Sequence, residues 1–303
     1  MIRLNRYRVA GHLFSIEQDE SSFLWEMMQE SYGPFECDED GDRRFSLAVK
    51  ENVEVSGKTA VYTNRNDVEE GFLILDVSRT PQGHYFELTN PGSSQVNGCL
   101  LVSSDYRNAE LSLRGNRLEQ WYVFNSAVDF CFLLSTAAHD TLLTHSSSVL
   151  YRGRAYLFLG KSGTGKSTHS RMWLDALEDV ILINDDHPVV RLDADGTPVV
   201  YGSPWSGKTR CYKNMSAPLG GVVRISRAPH NRAVRLSPIQ AYASLMTSCS
   251  GMTWEKDLAD GKDRTLQGIV RRVPCWVMEC LPDEDAARVC SEAVTAVHQE
   301  GNE

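Results

Sequence analysis

The run Gly160-Lys161-Ser162-Gly163-Thr164-Gly165-Lys166-Ser167 has the spacing G-x-x-x-x-G-K-[ST]. In that pattern the glycines free successive backbone N–H groups to converge on phosphate oxygens. Lys166 adds a cation with the reach of β- and γ-phosphates, and the Ser167 hydroxyl suits Mg²⁺; Thr168 completes the expected cradle. The context fits the motif. Ala155–Leu159 is an apolar strand leading in, and Ser167 to Leu177 is a helical stretch leading out, whose N-terminus favours anions. Mg·ATP is the expected ligand.

A second match, Gly202 to Thr209, has a short strand before it, but Pro204 and Trp205 crowd the loop and no helical periodicity follows. It is read as part of a basic segment in which Lys208 and Arg210 are candidate ligands of an anionic substrate or the γ-phosphate. The apolar run Val180–Ile183 reads as a buried strand, with Asn184-Asp185-Asp186-His187 at its C-terminal end. Sites of open α/β sheets lie at such ends, and two adjacent carboxylates there suit one metal ligand and one base for an attacking hydroxyl. His145 enters through register. If Arg152-Gly153 is a two-residue hairpin turn, position i faces 305 minus i, and His145 falls opposite Gly160, bordering the glycine loop.

The elements that hold these residues divide the chain in two. Residues 1–117 read as a smaller α+β domain: short strands near Tyr7–Ile16, Arg44–Val49, Gly71–Val77, Tyr85–Leu88 and Cys99–Ser103, and one helix near Ser22–Ser31. Residues 118–303 begin with a helix carrying Trp121, Phe124, Val128 and Phe132 at helical spacing, and then alternate strands and helices as a layered α/β domain does. Farther on, Ser237-Pro238 starts a helix, Pro274–Cys280 is a strand, and Asp283 caps a final helix. The stretch holding Trp254, Lys256 and Arg264 reads as a polar connector. Asp38-x-Asp40-x-Asp42 lacks the glycine a calcium loop requires and reads as a solvated hairpin turn.

Composition narrows the function. The 303 residues, 42% hydrophobic and 23% charged, make a globular protein rather than a disordered one. No apolar stretch approaches the ~20 residues of a membrane helix, and the N-terminus lacks the pattern of a secretory signal, so a cytoplasmic protein with no membrane partner is expected. Eight cysteines without a C-x-x-C pair read as buried free thiols rather than a zinc site. The net charge of −9 is uneven: residues 1–120 hold 20 acids against 12 bases, while residues 201–240 hold seven bases and no acid. A basic cluster this small in an acidic chain points to a small anion, not to nucleic acid.

His145 at 21 residues before Lys166, the loop through Thr168 and the Asp185-Asp186 pair together resemble the superfamily of HPr kinase/phosphorylase and ATP-dependent phosphoenolpyruvate carboxykinase. The loop and acidic pair look like the carboxykinase versions and the histidine spacing like that of HPr kinase; the resemblance covers roughly residues 140–225. Residues 1–120 do not resemble the carboxykinase N-terminal domain, and Thr168 stands where HPr kinases usually have Glu, so it implies the superfamily rather than one activity. It implies an α/β P-loop kinase domain in which Lys166 binds phosphates, Ser167 and one of Asp185 and Asp186 hold Mg²⁺, and the other is the base. His145 holds a phosphate or tunes the base. The expected function is a phosphotransferase moving the γ-phosphoryl group of Mg·ATP to a hydroxyl, on a small metabolite such as free serine or on a Ser/Thr of a peptide or protein. The rival is a nucleotide-binding sensor or peptide-carrier module without turnover. Homo-oligomer formation is left open.

Overall fold

The computed structural model describes residues 1–65, 73–252 and 254–299. The chain is a mixed α/β protein with two large sheets, and it divides into two compact units: residues 1–136 with 252–258, and residues 137–251 with 259–303. Among the described residues, no helix is long and apolar enough to cross a membrane.

The first unit is built on an eight-stranded sheet. In chain order it contains β1 (Ile2–Val9), β2 (His12–Asp19), helix α1 (Leu24–Tyr32), β3 (Phe45–Val49), β4 (Thr59–Thr63), β5 (Ile74–Thr80), β6 (Gly83–Thr89), β7 (Gly98–Ser103), β8 (Asn108–Leu113) and helix α2 (Arg117–Thr136). The stretch expected as one strand over Tyr7–Ile16 is a hairpin, because Ala10 and Gly11 take positive φ, 50° and 77°, and reverse the chain between β1 and β2. Gly71 and Phe72 of the expected Gly71–Val77 strand lie outside the described residues. The acidic run is an irregular connection rather than a hairpin turn, since β2 and β3 pair in parallel. Its acids meet arginines: Glu39 pairs with Arg8, Asp40 with Arg43 and Asp42 with Arg107.

Helix α2 belongs to this first unit, so the chain divides after residue 136 and not at 117. Packing explains the shift. Phe124 and Phe132 are fully buried, Phe132 meets Phe14 edge-on at 6.2 Å, and the Tyr32 hydroxyl donates to Asn125 Oδ1 at 2.9 Å. Each such side chain contributes about 2 kcal/mol on burial, enough to fix the helix to the sheet that its aromatic stripe matches.

The second unit comprises β9 (Thr141–Leu143), β10 (Ser146–Tyr151), β11 (Arg154–Leu159), α3 (Lys166–Ala176), β12 (Ile181–Asp186), β13 (Val189–Leu192), β14 (Pro198–Tyr201), β15 (Ser216–Arg227), β16 (Arg232–Arg235), α4 (Pro238–Met246), α5 (Lys256–Arg272, whose first turn lies in the first unit), β17 (Cys275–Cys280) and α6 (Glu284–Gln299). Its sheet runs β12-β10-β11-β15-β14-β13-β9, with β17 alongside β15. Strand alternation sends Leu157, Leu159, Ile183 and Val222 into one core with Leu245, Leu266 and Ile269 from α4 and α5. Tyr156, Phe158, Val223 and Trp276 enter a second core with Trp173 of α3 and Cys290 and Val294 of α6. The sheet is thus covered on both faces. Helix α4 begins at Pro238 with the Ser237 N–H donating to Gln240 Oε1 at 3.0 Å, and Asp283 Oδ1 accepts the Ala286 N–H at 3.0 Å at the start of α6. Lys256 and Arg264 lie on α5, not in a connector. The eight cysteines are free thiols and six are buried; burial pushes the Cys249 and Cys275 thiols up to about 12.

Candidate active site

The site forms where β11 and β12 end and β10 and α3 begin. Arg152 and Gly153, with φ of 50° and 76°, form the two-residue turn between β10 and β11, and the register is the expected one: Tyr151 faces Arg154 and Ser146 faces Leu159. His145 therefore stands beside Gly160, the first residue of the glycine loop. Its backbone N–H donates to the Ser248 carbonyl at 2.7 Å, which fixes the base of the side chain.

From Leu159 the chain passes through residues 160–165 and enters α3 at Lys166, with Gly165 as N-cap. Gly163 and Gly165 have φ of 72° and 114°, a region that costs other residues strain, and these flips turn successive peptide planes over. Thr164 closes the loop from within: its N–H and Oγ1 both donate to the Lys161 carbonyl, at 3.1 and 2.7 Å. Lys161 and Ser162 are exposed, as are Ser167 and Thr168 on the first turn of α3. Lys166 is only 9% exposed, and its amine lies inside the loop, 3.0 Å from the Gly160 carbonyl and 3.3 Å from His145 Nε2. The same imidazole nitrogen is 3.3 Å from Asp186 Oδ1. Cation, imidazole and carboxylate form a chain along the mouth of the loop. Nε2 donates to Asp186 when protonated and accepts from Lys166 when not.

The two acids occupy different surroundings. Asp185 pairs across the sheet with Ser147, and Asp186 with Ser146. Ser147 Oγ is 2.5 Å from Ser170 Oγ on α3, so the β-strand alternation turns Asp185 to the α3 face and Asp186 off it. Asp185 is buried at 6% exposure, whereas the Asp186 side chain is 37% exposed.

Asn184, one residue earlier and given no role from the sequence, is the organiser of this turn. It is fully buried. Its Oδ1 accepts the Asp186 and His187 N–H groups at 3.1 and 3.0 Å, and its Nδ2 donates to Ser203 Oγ, the Trp205 carbonyl and the Ser203 carbonyl at 3.2, 3.1 and 3.3 Å. One amide thus shapes the acidic turn and draws residues 203–205 onto it. The Gly207 N–H continues the seam by donating to the Asp185 carbonyl at 3.0 Å, and Ser206 bridges to Asp186.

That seam places the second G-x-x-x-x-G-K-T run. No helix leaves it; residues 202–215 form an irregular segment laid against the end of β12, with Lys208 and Arg210 exposed just past Gly207. Three other bases of residues 201–240 have separate partners, contrary to a single anion cluster. Arg224 donates to Ser244 Oγ, the Ser244 carbonyl and Thr247 Oγ1 at 2.7, 2.7 and 2.6 Å, so it holds the C-terminus of α4. Arg235 lies over the Trp276 ring at 5.6 Å. Arg227 donates to the carbonyls of Gly163 and Thr164.

The inner face of α3 is structural. His169 is 1% exposed, meets Phe158 edge-on at 4.7 Å, and accepts the Trp173 indole N–H at Nε2 at 3.2 Å. Burial depresses its imidazole to about 4, so it is neutral at physiological pH.

No protein family matches the chain, and no curated protein matches it. Among solved structures, it is similar to the HPr(Ser) kinase/phosphatase from Coxiella burnetii, with 9% identity and a TM-score of 0.30 over 53% of this chain and 96% of that one. A likeness that faint carries no argument, and the reading of the site rests on its own geometry.

Proposed function

We propose that the protein is a Mg·ATP-dependent phosphotransferase acting on a hydroxyl acceptor. The observation that carries this reading is the line from Lys166 through His145 to Asp186 at the mouth of a glycine loop that opens a helix. Backbone N–H groups at the start of α3 and the Lys166 ammonium supply positive potential for a triphosphate, whose oxygens would replace the Gly160 carbonyl as partners of the amine.

The donors fit Mg²⁺. Among the described residues no three His, Cys, Asp or Glu side chains converge to hold a metal by themselves. One hydroxyl, Ser167, and one or two carboxylates are the sparse all-oxygen set that Mg²⁺ uses when phosphates and water complete its shell. Asp185, on the α3 face, is the ligand we assign with Ser167; bound Mg²⁺ would offset charge on the β- and γ-phosphates. Asp186, more exposed and beside His145, is the base that receives the acceptor's proton, and His145 orients it. Lys208 and Arg210, on the segment pinned to the acidic turn, are assigned to an anionic group of the acceptor, such as a carboxylate. Catalysis on this account is positioning and charge neutralisation.

Calorimetric titration with Mg·ATP tests the nucleotide step. Wild type is expected to bind, and Lys166→Ala to lose at least about tenfold in affinity, one buried charge-assisted contact. Equal binding by both proteins contradicts the reading.

A further inference from the structure

The guanidinium of Arg227, at the end of β15, donates Nη2 to the Gly163 carbonyl and Nε to the Thr164 carbonyl at 3.3 Å. These are the two peptide units between the left-handed glycines. In a planar trans peptide the C=O and N–H point in opposite directions. Holding the Gly163 carbonyl therefore directs the Thr164 N–H away from Arg227, where it meets the Lys161 carbonyl at 3.1 Å. Holding the Thr164 carbonyl likewise directs the N–H of Gly165, the N-cap of α3, away from Arg227.

We propose that Arg227 is a positioning residue for the phosphate site: it grips the outer carbonyls of the loop so that the Thr164 N–H stays in the loop's own turn and the Gly165 N–H is aligned before nucleotide arrives. The inference rests on the nucleotide reading of the loop. It needs both features of arginine, a fork that reaches two carbonyls and a fixed charge, because a lysine ammonium is a point donor on a flexible stem. β15 is a sound anchor for this grip. Its body pairs in parallel with β11, whose end starts the loop, and with β17 on the other side, so Arg227 and the loop share one rigid sheet.

The test compares wild type with Arg227→Met, Arg227→Lys and Lys166→Ala, using Mg·ATP and Mg·ADP as probes in calorimetric titrations and recording the melting temperature of each protein. Arg227 is exposed, so its truncation is expected to leave the melting temperature within about 2 °C. Arg227→Met is expected to weaken both nucleotides about tenfold, the scale of one charge-assisted contact, and Arg227→Lys to recover only part of that loss. Unchanged affinity in Arg227→Met overturns the proposal. So does full recovery in Arg227→Lys, which would mean that charge alone matters and not the grip. Wild-type binding by Lys166→Ala would remove the nucleotide reading itself, a failure distinguishable from that of Arg227.

Discussion

Replacing Asn184 should damage the protein more than any exposed residue of the site, and with a characteristic pH dependence. The amide has two N–H hydrogens for the three acceptors around it, Ser203 Oγ and the Ser203 and Trp205 carbonyls, and its oxygen takes two backbone N–H groups. Asn184→Ala therefore removes four good hydrogen bonds at a buried position. At about 1 kcal/mol net for each, the loss is about 4 kcal/mol, which in a unit of this size lowers the melting temperature by roughly 10 °C. Asn184→Asp is nearly the same shape, but it sets a carboxylate oxygen against the Ser203 and Trp205 carbonyls. At pH 7 it should lose at least as much as Asn184→Ala. That carboxyl is disfavoured when charged, so its folded pKa lies above its unfolded value. The unfolded state then holds fewer protons, and stability falls as pH rises through this window. Relative to Asn184→Ala at the same pH, Asn184→Asp should therefore recover between pH 7 and 5. Urea denaturation of the three proteins across that range measures it. A loss below about 1 kcal/mol in Asn184→Ala, or an Asn184→Asp protein more stable than Asn184→Ala at pH 7, would contradict the role assigned to Asn184.

Other expectations follow from single groups. His169 is held near 4 by burial against an ordinary 6.5; the unfolded chain binds the extra proton between those values, so the protein loses about 3 kcal/mol as pH falls from 6.5 to 4. His169→Gln, which keeps an acceptor for Trp173 but does not titrate, should flatten that slope, and an unchanged slope in pH-dependent denaturation contradicts the burial argument. Asp186→Asn should reduce phosphoryl transfer by at least about 100-fold with Mg·ATP affinity nearly unchanged, whereas Asp185→Asn should raise the Mg²⁺ concentration needed for half-maximal turnover. Steady-state kinetics at varied Mg²⁺ separates the two, and the reverse pattern would exchange their roles.

Much of the site is legible in the sequence because it is encoded locally. The glycine loop, the strand before it and the helix after it are contiguous, and a two-residue turn at Arg152-Gly153 fixes the register that brings His145 to Gly160. The parts that sequence misses depend on distant partners. Asn184 looks like turn chemistry until residues 203–205 fold onto it, and Arg227 looks like one more base until β15 lies next to β11. Helix α5 is hidden differently. Gly261 and Gly268 weaken its helical pattern by about 1 kcal/mol each, yet a Cβ at those positions would come within 2.3 Å of the Ala137 carbonyl and 2.5 Å of Leu192 Cδ1. The same close packing that suits α5 to its place obscures it as a helix. The α2 boundary fails for a related reason: an aromatic stripe announces burial but does not say against which sheet.

Phosphorus NMR of Mg·ATP incubated with the protein and a mixture of hydroxylated metabolites that includes free serine separates phosphoryl transfer from nucleotide binding alone. A new phosphomonoester resonance should grow as ATP is consumed and be absent with Lys166→Ala. No such resonance from that mixture or from Ser/Thr peptides, in a protein that still binds Mg·ATP, would contradict phosphotransfer and leave a nucleotide-binding protein without turnover.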